Sequence, residues 1–184
     1  MYVQASDAYA ERNLDKAYTL ALQACKNKPD FFQAQLLQAK VLYFQDKNSE
    51  AEKCLKKLLK KHPEFTEARL YLVRTLIQME SYGQAKSLLD TELSFNQTDW
   101  RFFYLYALLS EKQESLDMRL AMQKRAEQSL EDSSKVYTDL AFIWLKLEMR
   151  DKALDYLEKA QCISSRPEAI QQAIDHIKSG DDIL

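Results

Sequence analysis

Two histidines and three cysteines are the side chains of this sequence best suited to bind a metal or to act as nucleophiles. His62 and His176 each lack a cysteine, an aspartate or a second histidine at ligand spacing. Cys25, Cys54 and Cys162 are odd in number and widely spaced, which predicts neither a disulfide framework nor a metal site. We interpret them as small apolar helix residues in a reducing compartment.

The sequence also lacks the other common catalytic patterns. Gly83 and Gly180 are isolated glycines, and they do not form a glycine-rich phosphate loop. Asp181 and Asp182 are neighbouring acids in a predicted tail and not a paired-carboxylate site. No nucleophile, base and orienting group can be assigned together. The sequence therefore predicts a protein that is not an enzyme and that binds neither a cofactor nor a metal.

The charge and hydropathy of the chain disfavour two further classes of partner. Its 184 residues carry 26 basic and 28 acidic side chains, for a formal net charge of −2. That balance gives no broad attraction to nucleic acid or to an anionic membrane. No apolar run approaches the roughly 18–20 residues needed to cross a bilayer. We therefore predict no nucleic-acid partner and no direct insertion of this segment into a membrane.

One strongly basic run, KCLKKLLKKHP, occupies residues 53–63. On a helix its leucines point inward, so the lysines form a solvated outer face. The alternative is contact with an anionic membrane or nucleic acid, which the acidity of the whole chain disfavours.

The elements that carry these side chains repeat at the interval that separates Pro29 from Pro63. With 2 glycines and 3 prolines, the chain has too few turn residues for an all-β fold, which favours helices joined by short connections. Alanine recurs at the same interval in two series, with one exception in each. These series are Ala5, Ala39, Val73, Ala107, Ala141 and Ala17, Ala51, Ala85, Arg119, Ala153.

This period, with alanine and proline at fixed positions, resembles that of the tetratricopeptide repeat family, whose unit is a helix–turn–helix of about 34 residues. The resemblance covers essentially the whole chain. It implies an all-α fold, a right-handed superhelical solenoid of about five antiparallel helix hairpins plus a C-terminal capping helix. Small residues let the two helices of a hairpin approach closely. A single hairpin cannot bury its apolar face, so neighbouring hairpins must stack.

We predict a single array with repeats at about 1–31, 32–65, 66–99, 100–133 and 134–166. The first helix of each repeat is expected at about 1–12, 31–45, 65–79, 99–113 and 134–147. The second helix is expected at about 14–27, 48–61, 82–94, 115–130 and 151–163. Pro167 begins the capping helix over 167–179, which Gly180 ends, and residues 180–184 form a tail.

Two repeats depart from the family pattern. In the fourth, Arg119 replaces a small residue and Gln123 replaces a large apolar one. We expect an irregular hairpin that still stacks, with a bend or a second contact surface as the alternative. The first repeat begins at about its fourth position. We therefore expect a fragment of a longer cytoplasmic protein, in which an N-terminal anchor, a signal or further repeats precede Met1.

The resemblance also implies which side chains face the concave groove, since first helices line that surface in the family. The predicted groove residues are Tyr9, Lys40, Tyr43, Phe44, Arg74, Ile77, Arg101, Tyr104, Leu108 and Phe142. Aliphatic residues at groove positions, such as Leu36 and Leu70, either face a ligand or pack between helices. Some relatives hold a carboxylate with a clamp of lysine, asparagine and arginine, and the asparagines of that clamp are missing here.

Two functions are compatible with this groove. The first is a scaffold whose groove binds a peptide or protein segment through aromatic and arginine anchors. The second is a structural module that self-associates within a larger protein. A weaker hypothesis places the acidic tail SGDDIL, residues 179–184, against Lys40 and Arg74 of a neighbouring molecule.

Overall fold

The computed structural model describes residues 1–95 and 98–179, and these residues form ten α-helices and no strand. The all-α prediction is confirmed. No helix in the described residues combines the length and the apolar character required to span a bilayer. The helices are α1 (Tyr2–Ala10), α2 (Leu14–Asn27), α3 (Phe32–Phe44), α4 (Asn48–Lys61), α5 (Thr66–Gln78), α6 (Tyr82–Phe95), α7 (Trp100–Lys112), α8 (Leu116–Lys146), α9 (Arg150–Gln161) and α10 (Pro167–Ser179).

The turn inside each helix hairpin has the same geometry and recurs at the repeat interval. A residue with φ between 56° and 62° lies two positions after the end of the first helix of every hairpin. The following backbone N–H closes the turn on a carbonyl five positions before it, as Asn13 does on Ala8 and Met149 does on Trp144. This is the Schellman motif, here built without glycine. The left-handed residues are Arg12, Asp46, Glu80, Glu114 and Glu148.

The turns between hairpins are made differently, and one of them is absent. Lys28 and His62 end α2 and α4 with extended backbones, at φ −138° and −131°. Each precedes a proline, whose ring disfavours a helical conformation in the residue before it. The position two repeat intervals after Pro63 is Glu131, which imposes no such break.

The predicted separation of helices at 115–130 and 134–147 is therefore wrong. Residues 116–146 form one continuous helix, α8, and this stretch contains neither proline nor glycine to interrupt it. The left-handed turn at Glu148 shows that the repeat register nevertheless continues through this helix. We refer to the hairpins by this register, so that α8 carries the second helix of hairpin 4 and the first helix of hairpin 5.

The chain divides into two compact units, residues 1–97 with 108–116 and residues 98–107 with 117–184. In the first unit each helix from α1 to α6 contacts the next, and α3 also contacts α1 and α5. Ala5, Ala17 and Ala21 are completely buried there beside Leu37 and Val41. Alanine at these positions allows the backbones of successive helices to approach, as the repeat pattern predicted.

The second unit has a core formed by the end of α8 together with α9 and α10. Ala141 and Ala153 are completely buried and lie in one cluster with Leu157. The isoleucines of α10 extend this cluster along the face that packs against α9. They are Ile170, Ile174 and Ile177. The division of the chain into the five predicted repeats stays a prediction, and the tail at 180–184 lies outside the described residues.

Candidate functional site

An aromatic and cationic cluster is centred on Tyr71 in the first unit. Its members come from α1, α3 and α5, the first helices of three consecutive hairpins. The repeat register brings them together, because Tyr43 lies one repeat interval after Tyr9, and Arg74 lies one interval after Lys40. We call this set the Tyr71 cluster: Tyr9, Lys40, Tyr43, Phe44, Tyr71 and Arg74.

Two cations lie over the ring of Tyr71. The Lys40 Nζ atom is 4.7 Å from the ring centroid, and the Arg74 Cζ atom is 5.4 Å from it. Both distances are within the range of cation–π attraction. The Tyr43 ring meets Tyr71 edge-on, with centroids 5.9 Å apart and planes at 87°. The Tyr71 ring therefore fixes the positions of both cations and of a second aromatic ring.

Further rings extend the apolar part of the cluster. Phe44 meets Tyr43 edge-on with ring centroids 5.1 Å apart, and its centroid lies 5.8 Å from that of Tyr9. Phe44 is exposed, whereas Tyr9 and Tyr43 are half-buried. Half-buried neighbours hold the exposed Phe44 ring in place, so the side chain has little conformational freedom left to lose. This preorganisation lowers the entropic cost of binding an apolar ligand.

The hydroxyls of Tyr9 and Tyr43 remain protonated at neutral pH. Burial raises the pKa of Tyr9, and its hydrogen bond with Tyr71 raises that pKa further, while Arg12 and Arg74 lower it by a smaller amount. Burial also raises the pKa of Tyr43 and outweighs the opposing effect of Arg74. These side chains can therefore act as neutral hydrogen-bond donors beside two cations.

The cations of the Tyr71 cluster are only partly neutralised by acidic side chains. The Lys40 Nζ atom lies 3.9 Å from a carboxylate oxygen of Glu67, at the outer limit of an ion pair. Within residues 1–95 and 98–179, the Arg74 guanidinium forms no ion pair with a carboxylate. Arg74 is half-buried and stacked, which makes it a preorganised partner for a carboxylate.

The structure brings five of the predicted groove residues together in this cluster: Tyr9, Lys40, Tyr43, Phe44 and Arg74. Ile77 and Leu108 are half-buried in the same unit. Leu36 and Leu70 are buried, which supports the alternative that they pack between helices. The sequence reasoning missed Tyr71 itself, although Tyr71 and Arg74 are three positions apart and so share one helical face.

The other predicted groove residues lie in the second unit. The Arg101 guanidinium already binds Asp99, with Nε 2.9 Å and a terminal nitrogen 2.7 Å from the two carboxylate oxygens. Tyr104 is exposed and its ring centroid lies 6.3 Å from that of Trp100. Phe142 is exposed on α8.

A cleft of about 580 Å³ opens in the second unit beside Trp100 and Tyr104. Its walls come from α7, the first half of α8 and the connection between α9 and α10. The backbone N–H of Ser165 donates a 3.1 Å hydrogen bond to Glu131 at its edge. The other lining residues are Leu120, Gln123, Lys124, Ala126, Glu127, Leu130, Ile163 and Ser164. The degenerate fourth repeat thus borders a second concave surface.

The described residues contain no group of three His, Cys, Asp or Glu side chains arranged to hold a metal ion. Cys25 and Cys54 are half-buried free thiols, and burial raises the pKa of each. Both thiols are therefore weak nucleophiles at neutral pH.

Known proteins share both the repeat and the fold. The sequence model of the tetratricopeptide repeat family matches residues 45–109. Among curated protein sequences, none matches this chain significantly. The solved structure of TTC0263, a thermophilic tetratricopeptide repeat protein of Thermus thermophilus, is 20% identical with a TM-score of 0.64. That match covers 97% of each chain.

Two further solved structures have the same fold. Residues 41 to the end of MamA from Desulfovibrio magneticus RS-1 are 15% identical over 93% of each chain, with a TM-score of 0.60. YrrB, described as a tetratricopeptide repeat protein with an unusual peptide-binding site, is 18% identical over 93% of this chain and 88% of its own, with a TM-score of 0.55. The matching repeat model, the regularly recurring left-handed turns and the shared fold show that residues 45–109 match the tetratricopeptide repeat model and that the chain has the fold of tetratricopeptide repeat proteins.

Proposed function

We propose that the Tyr71 cluster binds a segment of another protein that carries an acidic side chain next to an apolar one. The observation that carries this proposal is the half-buried Arg74, which is stacked on Tyr71 without a carboxylate partner in the described residues. A ligand carboxylate would complete the charge pairing of this guanidinium. The exposed Phe44 ring and the edge of Tyr43 would cover the adjacent apolar side chain.

The family relationship supports a scaffold function in general terms. The peptide-binding site named for YrrB belongs to that protein, and at 18% identity it supports this proposal only through the shared fold. Function in repeat proteins depends on the surface side chains and not on the fold. The absence of catalytic activity and the cytoplasmic location stay predictions from the sequence.

A peptide-display selection on the purified chain tests the proposal even though the partner is unidentified. We expect the selected peptides to be enriched in Asp or Glu next to an aromatic or aliphatic residue. Arg74→Ala should weaken their binding about 10–100-fold, because a charge-assisted hydrogen bond contributes about 1.5–3 kcal/mol and about 1.4 kcal/mol corresponds to a factor of ten. Lys86→Ala is the matched control, since Lys86 is an exposed cation on α6 outside the cluster.

The apolar part of the site is tested separately with the same peptides. Tyr43→Ala should also reduce affinity by about tenfold or more, since it removes an anchoring ring and loosens Phe44 and Tyr71. If Arg74→Ala and Tyr43→Ala bind the selected peptides as the unsubstituted chain does, the site lies elsewhere. In that case Tyr104→Ala would show whether the cleft of the second unit contributes instead.

A further inference from the structure

The second half of α8 and Leu147, which directly follows it, carry an apolar stripe that the fold leaves largely uncovered. Val136, Leu140, Ile143 and Leu147 follow one another at spacings of four, three and four positions. This spacing aligns them along a single edge of a helix, as in the seam of a coiled coil. Val136, Ile143 and Leu147 are 55%, 52% and 59% exposed. We call these four residues the α8 stripe.

At two of the four stripe positions, those of Val136 and Ile143, the equivalent residues of the preceding hairpins are covered. The equivalents of Ile143 in hairpins 4, 3 and 2 are Leu109, Thr75 and Val41, which are all completely buried. The equivalents of Val136 are also completely buried, and they are Phe102, Ala68 and Ala34. In hairpin 2 this face of α3 packs against α2 of the preceding hairpin. The α8 stripe is therefore a stacking surface without its usual partner.

In the first hairpin, the equivalent face is exposed to solvent and its residues are polar. The residues of α1 and its turn that match Leu140, Ile143 and Leu147 are Gln4, Asp7 and Glu11, and all three are exposed. Aliphatic residues at exposed positions in hairpin 5 are the informative difference, because clusters of exposed apolar side chains mark interaction surfaces.

Hairpin 4 of the same chain cannot cover the stripe in the usual way. In hairpin 2, Val41 lies in a cluster with Ala17 and Ala21 of the preceding hairpin. The residues that match these alanines in hairpin 4 are Arg119 and Gln123, which offer a polar surface. The α8 helix is also continuous over 31 residues, about 46 Å at 1.5 Å per residue, so its second half cannot fold back on its first.

We infer that the α8 stripe binds the α8 stripe of a second copy of the chain, with the two helices antiparallel. A second copy's hairpin 4 would present the same unfavourable Arg119 and Gln123, whereas its α8 stripe is aliphatic and self-complementary. Two-fold symmetry then places the same four residues on both sides of the interface. This pairing goes beyond the peptide binding proposed for the Tyr71 cluster and uses different residues.

The charges beside the stripe favour the antiparallel orientation. Asp139 and Lys146 lie along the same flank of the stripe, and both are exposed. Neither has an ion-pair partner in residues 1–95 and 98–179. In an antiparallel pair, Asp139 of one copy lies across the seam from Lys146 of the other, and symmetry creates the contact twice. A parallel pair would not bring these opposite charges together.

Light scattering coupled to size-exclusion chromatography, over a range of loading concentrations, tests the pairing. We expect a mass of twice 21.5 kDa at high concentration and dissociation on dilution. Ile143→Lys should raise the dissociation constant on the order of 100-fold, because the charge enters the seam from both copies. Asp155→Lys should leave it unchanged, since residue 155 and its equivalents 19, 53, 87 and 121 are all exposed.

The orientation is tested by reversing the flanking charges. Asp139→Lys and Lys146→Asp should each weaken the dimer roughly 3–10-fold, as expected for exposed ion pairs formed twice. The two substitutions combined should restore the original dissociation constant. Far-UV circular dichroism verifies that each variant is folded, and Ile143 is already half exposed, so a lysine there leaves the fold intact.

Three results would overturn the inference. A mass of 21.5 kDa at every concentration would show that no second copy covers the stripe. A dimer unaffected by Ile143→Lys would place the interface elsewhere. Failure of the combined charge reversal to restore association would exclude the antiparallel arrangement. None of these results bears on peptide binding, which is measured with the Arg74 and Tyr43 variants.

Discussion

Replacing Glu80 with glycine should make this protein more stable. Glu80 follows α5 by two residues and lies in the left-handed region at φ 57°. Its backbone N–H donates to the carbonyl of Ile77, and the next N–H, of Ser81, donates to Leu76. Its exposed side chain makes no hydrogen bond or ion pair within residues 1–95 and 98–179. The substitution therefore relieves backbone strain and removes no side-chain contact.

The magnitude follows from two opposing terms. A side chain in the left-handed region costs about 1–2 kcal/mol relative to glycine. Glycine increases the conformational entropy of the unfolded chain, which costs about 0.4–1 kcal/mol. The expected net gain in the free energy of unfolding is about 0.5–1 kcal/mol for Glu80→Gly. Glu114 and Glu148 have the same geometry, with φ of 56° and 59°, and should behave alike.

Urea denaturation followed by circular dichroism measures the gain, and two controls define its cause. Glu80→Ala keeps the strained backbone and should give no comparable gain. Gln84→Gly, at an exposed position in the first turn of α6, should lose stability, because glycine has a low helix propensity. Asp46→Gly should gain less than Glu80→Gly, since Asp46 Oδ1 accepts a 2.5 Å hydrogen bond from Gln78. A loss of stability in Glu80→Gly similar to that in Gln84→Gly would refute this reasoning.

Three other predictions concern charges and the continuous helix. Arg69→Ala should lower the free energy of unfolding by about 3 kcal/mol in urea titrations, because the buried Glu92 carboxylate loses the Arg69 cation, whose Nε atom lies 3.3 Å away. Adding Glu92→Leu to the Arg69→Ala chain should recover most of that loss. Burial raises the pKa of Asp99, but hydrogen bonds from Arg101 outweigh burial and lower that pKa. The stability that this carboxylate adds is therefore complete above about pH 4 and decreases as the pH falls through the lowered pKa. Asp99→Asn should remove this pH dependence from thermal unfolding. Glu131→Pro should break α8 and speed amide hydrogen exchange around residues 131–134, whereas Glu131→Ala should not.

The hairpins were predictable from sequence because their determinants are local and repeated. Ala17, Ala51 and Ala85 are completely buried at the helix contacts, as their regular spacing implied. Pro29 and Pro63 end helices for a steric reason that holds in any context. The absence of proline at position 131 did not by itself predict the continuity of α8, because position 97 also lacks proline and α6 nevertheless ends at Phe95.

The Tyr71 cluster was only partly predictable, for a different physical reason. The family resemblance identified five of its residues as members of one face, namely Tyr9, Lys40, Tyr43, Phe44 and Arg74. It did not identify Tyr71, because its role depends on distances between side chains of three helices. Exposure was equally hard to predict on α8. Ile143 has buried equivalents in three hairpins, and its exposure follows from the missing turn and not from its own identity.

The turns within hairpins and the turns between hairpins therefore have different determinants. Turns within hairpins keep their left-handed geometry without glycine, since the stacked helices on both sides hold them in place. The turns after α2 and α4 each contain a proline that disfavours the helix, whereas the equivalent position in α8 is Glu131 and the helix continues. The three helices that form the Tyr71 cluster all precede that position. A change at residue 131 should therefore alter the self-association that we infer for the α8 stripe, and it should leave the proposed peptide site intact.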